Sequence, residues 1–223
     1  MNIPVLRFYG GTYSEDIEKE MKAFGYLFDK RDEAEKFIDW YESFITAINT
    51  TVSKIPDEDR PTVWFESSHK MYYGFNENLV DFAGGKNILP GGGDIDPEAV
   101  VGFDPDVIII ASGCTGGYFQ DADNVTAIKK LRDEMMSRSE LQNVSAVKNG
   151  RVYAINGYML GSMSCSSGRS FLQVPYLAAW FYPELFKDLD PQAIHQEYLT
   201  KFRGLNYDLD KEGVFVYPPL EES

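Results

Sequence analysis

The stretch Asp94-Ile95-Asp96-Pro97-Glu98-Ala99-Val100-Val101-Gly102-Phe103-Asp104-Pro105-Asp106-Val107-Ile108-Ile109-Ile110 holds two structural instructions back to back. Asp96 can cap the free N–H groups of a helix start, and Pro97 suits the first helical position, where an N–H would have no partner. Asp104-Pro105 ends the helix, because a residue before proline is pushed out of helical backbone. A short helix is therefore predicted over residues 97–103. Val107 to Ile110 are all β-branched and apolar on both faces, which predicts a strand over residues 106–110 that is central in a parallel sheet covered by helices. Glu98 is needed for none of this. A first-turn glutamate gains about 0.3–1 kcal/mol from the helix dipole, and that alone accounts for its place.

Outward from this stretch, strands alternate with helices. Upstream, residues 62–66 read as a β-rich strand and residues 77–83 as a short helix that ends at Gly84-Gly85. Residues 14–28 and 31–55 are helical; in the second segment Ala34, Phe37, Ile38, Tyr41, Phe44, Ile45, Ile48, Val52 and Ile55 recur every three or four positions. That segment is predicted to run about 37 Å, until the charged turn between Pro56 and Pro61 stops it. Residues 5–9 read as a strand before Gly10-Gly11. Downstream, an amphipathic helix over 122–138, a strand over 151–155 and closing helices over 168–181 and 191–203 complete the pattern. The predicted fold class is α/β: a doubly wound, mostly parallel, Rossmann-like lobe preceded by a long helix.

The 223 residues are 43% hydrophobic and 25% charged, enough for a substantial core. Lys and Arg number 21 against 35 Asp and Glu, a net charge of −14, and no basic stripe offers itself to phosphates, so nucleic acid is not an expected partner. No apolar run approaches the roughly 20 residues of a membrane span, and residues 1–9 lack the basic head and apolar stretch of a signal peptide. The two cysteines, Cys114 and Cys165, form neither a CxxC nor a zinc spacing; one disulfide and two free thiols both stay open.

Ligands of open parallel sheets bind beyond the carboxyl ends of the strands, which selects the loops at residues 67–76, 112–123 and 156–167. The candidate ligand-binding residues are Glu66, His69, Tyr72 and Tyr73 at the first, Cys114, Thr115 and Tyr118 at the second, and Tyr158, Met159 and Met163 at the third, with Arg169 just beyond. Aromatic, sulfur and hydroxyl groups in this mixture suit a large, flat, partly apolar ligand. The plainer readings stand beside it: tyrosines that cap the core, methionines that fill it, a surface His69, and an Arg169 that is structural rather than a clamp for an anion. His195, on a helix after Pro191, reads as structural. There is no GxSxG, GxxxxGK[ST] or HExxH motif, Gly91-Gly92-Gly93 has no strand before it, and the adjacent Ser68 and His69 point to different sides, so neither catalysis nor a cofactor is expected.

The order of elements, with Asp96 to Ile110 and later Ala146-Val147-Lys148-Asn149-Gly150-Arg151-Val152-Tyr153, resembles the substrate-binding proteins of ABC importers for iron-siderophores, haem and cobalamin. The resemblance runs over nearly the whole chain from Ile3. It implies a non-catalytic, extracytoplasmic protein that carries a metal chelate, without a cofactor of its own, between two α/β lobes joined by one long helix. It also implies a role for Glu98, as the glutamate that each lobe presents to arginines on the importer's membrane subunits. Matched to that pattern, residues 1–12 correspond to the last strand of an otherwise missing first lobe, 13–60 to the helical connection and 61–223 to the second lobe. The chain then reads as a fragment or a truncated product, and the strand at residues 5–9 as a free edge through which a homodimer could form. Two further readings stay open: an α/β accessory protein or enzyme that handles a tetrapyrrole or metal, and a ligand-free dimerising remnant.

Overall fold

The computed structural model of the protein describes residues 14–67, 70–74, 79–111, 123–156 and 169–220; the strand expected at residues 5–9 lies outside them. Helices α1 (Ser14–Leu27) and α2 (Arg31–Val52) pack on each other across a three-residue turn. At 22 residues α2 is about 33 Å long. It ends three residues before the predicted point: the Ser53 N–H reaches the Asn49 carbonyl, and residues 53–55 close as a turn.

Beyond it the chain forms one sheet. Its strands are β1 (Thr62–Ser67), β2 (Tyr73–Gly74), β3 (Lys86–Asn87), β4 (Gly93–Asp94), β5 (Val107–Ala111), β6 (Val152–Ile155) and β7 (Val216–Tyr217). Their order is β4-β2-β1-β5-β6-β7, with β3 also on β1. Pairs β1–β3, β1–β5 and β5–β6 are parallel, while β2, β4 and β7 join antiparallel. The helices are α3 (Leu79–Phe82), α4 (Pro97–Phe103), α5 (Val125–Met136), α6 (Ser145–Lys148), α7 (Gln173–Phe181) and α8 (Pro191–Glu197). The fold class is the predicted one. Helix α4 keeps its predicted bounds, and β5 is displaced by one residue. The closing helix at 191–203 is α only to Glu197 and continues as a π turn, Tyr198–Phe202.

Side-chain alternation builds two cores. Val63 and Phe65 of β1, Val107 and Ile109 of β5, and Tyr153 and Ile155 of β6 face the layer of α2, α3 and α7. Trp64, Ile108, Ile110 and Val152 face the other layer, with Val100 of α4, Met135 of α5 and Ala146 of α6. Successive strand residues point to opposite sides, so β5 must be apolar throughout. Helix α2 is held to the lobe by rings: Phe171 sits within 5.2–6.4 Å of Phe37, Trp40, Tyr41 and Phe44, and Trp40 donates through Nε1 to Glu197 at 2.8 Å. This fixes the long helix as part of the lobe.

The turn after α3 works only without side chains. A Cβ on Gly85 would lie 2.7 Å from the Phe181 ring and 2.9 Å from Val63, with Val80 behind. Gly85→Ala is expected to lower the unfolding free energy by about 1–3 kcal/mol through overpacking, read as a lower urea midpoint with an unchanged m-value.

His195 is the structural residue the sequence suggested. It is buried, edge-on to Phe215 at 4.7 Å, and its Nδ1 has no partner among the described residues. Burial, and then the charge of Arg169, lower its pKa to about 4. The folded state thus keeps it neutral where the unfolded chain protonates it. Its contribution is unchanged above about pH 6.5 and is lost as pH falls toward 4, by about 2–3 kcal/mol. Between pH 7 and 4.5 the wild type is expected to lose that much more stability than His195→Gln, measured by urea unfolding at each pH.

Candidate ligand-binding site

The parallel registers align the ends of the three central strands. Ser67 stands beside Ala111, and Ala111 beside Ile155, so the chain leaves β1, β5 and β6 at one level and on one edge. Residues 67–74, 112–123 and 156–169 therefore start from a common line, as the topology of an open parallel sheet requires of a binding site. His69, Cys114, Thr115, Tyr118, Tyr158, Met159 and Met163 lie outside the described residues.

At the first loop Glu66 points inward: it is 1% exposed, and its carboxylate accepts from both terminal nitrogens of Arg138, at 2.6 and 2.9 Å. The Tyr72 N–H at 3.0 Å and Trp64 Nε1 at 3.3 Å add to the same carboxylate. The physical reason is local. β1 is covered on both faces, so a carboxylate within it must be met by buried donors or be lost to desolvation.

Tyr72 points inward as well. It is buried in the second core, donates its hydroxyl to Glu140, and lies under the Arg138 guanidinium at 5.0 Å. Burial, and then the hydrogen bond to Glu140, push its phenol up to about 12. Its φ of +54° is left-handed, which costs a non-glycine residue about 1–2 kcal/mol. Turned the other way, Lys70 and Met71 are exposed and Tyr73 is half-buried. The Lys70 ammonium stands 5.6 Å over the Tyr73 ring and pairs with Asp94.

Arg169 is half-buried ahead of a 3-10 turn, Ser170–Leu172, close enough to His195 and Tyr198 to lower the pKa of one and oppose the rise of the other. The sequence reading missed Arg138 and Glu140. The one signal was a carboxylate directly after the apolar run Val63-Trp64-Phe65, which demands a buried cation without saying which of 21 supplies it. Among the described residues no three His, Cys, Asp or Glu side chains converge as a metal site, and no helix is long and apolar enough to cross a membrane.

Helix α4 lies on the second face of the sheet. Asp96 accepts the Glu98 N–H at 2.8 Å, and the left-handed Asp104 accepts from the Ser145 N–H and hydroxyl at 2.7 and 2.9 Å, which joins the end of α4 to the start of α6. Glu98 forms no side-chain hydrogen bond or ion pair among the described residues. It is exposed on a face shared with Val101, with Phe103, 54% exposed, at the helix end.

Residues 2–158 match the family model described as periplasmic binding protein. The chain belongs to that family. Solved structures similar to this periplasmic binding protein include FepB of Veillonella parvula, a TroA-like member, at 25% identity and a TM-score of 0.70, over 93% of this chain and 60% of that one. MolA of Haemophilus influenzae, bound to molybdate, has 15% identity and a TM-score of 0.65 over 92% and 61%. CeuE of Helicobacter pylori, with Ni(II) bound, has 16% identity and a TM-score of 0.61 over 86% and 59%. The chain spans about three-fifths of the length of these proteins. Among curated protein sequences none matches it.

Proposed function

We propose that this protein is the substrate-binding component of an ABC importer, works outside the cytoplasmic membrane, and carries a metal chelate of the iron-siderophore, haem or cobalamin kind. The observation that carries the reading is the common level at which β1, β5 and β6 end, so that three segments whose sequences are rich in aromatic, sulfur and hydroxyl groups set out from one edge of the sheet. Such a surface suits a broad, partly apolar ligand and not a bare ion. Similar proteins have been solved with molybdate and with Ni(II), ligands smaller than the chelate proposed for this chain. In this reading Tyr73 and Arg169 join His69, Cys114, Thr115, Tyr118, Tyr158, Met159 and Met163 around the ligand, while Glu66 and Tyr72 support the loop from behind.

The same reading assigns Glu98 to contact with the importer's membrane subunits. Its carboxylate has no partner among the described residues and the cap of α4 is supplied by Asp96, so folding does not call on it. Residues 61–223 then act as the ligand-binding second lobe, 13–60 as the helical connection and 1–12 as the last strand of a first lobe.

The test is titration of the purified protein, in the form its gene encodes, against haemin, cyanocobalamin and a ferric tris-catecholate by tryptophan quenching. Saturable binding of one of them at micromolar concentration or below is expected. Failure of all three would remove the ligand class.

A further inference from the structure

We propose that Arg138 and Glu66 are positioning residues for the ligand loop, which hold residues 70–74 in their binding shape before a ligand arrives. The inference rests on the reading that this loop faces the ligand, and adds how it is held. Its starting point is the left-handed backbone of Tyr72, a conformation that persists in a non-glycine residue only where the surroundings over-determine it. Here three groups do so. The Tyr72 N–H is held by the Glu66 carboxylate, the hydroxyl by Glu140, and the ring by the Arg138 guanidinium.

Arg138 orders this cluster. Its planar fork meets both Glu66 oxygens, which leaves Oε2 turned to accept the Tyr72 N–H as well. Tyr72 then passes the constraint on: its carbonyl accepts the Ile95 N–H, and the next residue, Tyr73, pairs with Asp94 of β4. The outward residues Lys70, Met71 and Tyr73 thus rest on a base fixed from beneath. A loop ordered in advance binds more tightly because less freedom is lost on binding.

Arg138→Lys is the informative change, since it keeps the buried positive charge and removes the bidentate fork. Amide hydrogen exchange without any ligand gives the first readout. The amides of residues 70–74 are expected to exchange at least tenfold faster in Arg138→Lys, with those of β5 and β6 unchanged. Tyr72→Phe, which removes the hydroxyl and its bond to Glu140 but keeps the Glu66–Arg138 fork, should give a smaller rise confined to the same residues. Acceleration shared by β5 and β6, or none at residues 70–74 in either variant, would overturn the proposal.

The second readout is affinity for whichever of haemin, cyanocobalamin and ferric tris-catecholate the wild type binds. Arg138→Lys is expected to weaken it at least tenfold; unchanged affinity beside a loosened loop would also overturn the proposal. If the wild type binds none of the three, the ligand reading falls, and the exchange pattern alone decides whether Arg138 positions the loop.

Discussion

Arg138→Met is expected to lower the unfolding free energy by about 3–5 kcal/mol, the cost of leaving one partner of a buried ion pair uncompensated. Glu66 is 1% exposed and cannot swing into water when the guanidinium is removed. Among the described residues the donors left to it, the Tyr72 N–H and the Trp64 indole, are neutral and too few for a full charge. The strain at Tyr72 would also lose its counterweight. The double change Glu66→Leu with Arg138→Met is expected to recover much of the loss, because replacing both members of a buried pair by apolar groups is often close to neutral. Urea unfolding of the two singles and the double measures the coupling. A loss below about 1 kcal/mol in Arg138→Met would mean that water reaches Glu66 and that the pair is not a buried one.

Glu98→Arg is expected to reduce uptake of the chelate at least tenfold, while stability stays within about 0.5 kcal/mol of the wild type and ligand affinity is unchanged. The three parts of this expectation have separate causes. Stability is spared because Asp96 caps α4 and the Glu98 side chain touches no partner among the described residues. Affinity is spared because Glu98 is exposed on the outer side of α4, in the layer over the second core, and belongs to none of the three loops, although α4 begins three residues beyond Asp94, which pairs with Tyr73. On the proposed docking role uptake falls, because a cation would be set against arginines of the membrane subunits, a repulsion of several kcal/mol once desolvated. Uptake into cells carrying the importer, beside a thermal melt and a titration of the same variant, tests all three. Normal uptake would return Glu98 to a helix-start residue.

How much of this was legible depended on whether the signal was local. Helix α4 and strand β5 could be read because Asp96, Pro97, Asp104 and Pro105 act on their own backbone, and four β-branched residues in a row leave little choice. The same holds for α2, whose apolar stripe is long enough to show its period. Strands β2, β3, β4 and β7 are two residues each, too short for any period, and exist because a neighbouring strand offers an edge. Glu66 could be seen as a charge out of place, but its partner lies 72 residues further on and only the fold joins them. Tyr72 and Tyr73 look alike in the sequence. The left-handed turn at Tyr72 sends one into the core and leaves the other half-buried at the surface.

A chelate held at the carboxyl edge of the sheet, as proposed, shows itself in a map of amide chemical-shift changes as the protein is titrated with the chelate it binds. The expected map is confined to residues 67–74, 112–123 and 156–169, with α4 and α8 silent. Changes centred instead on residues 187–210, or on α4, would contradict the account.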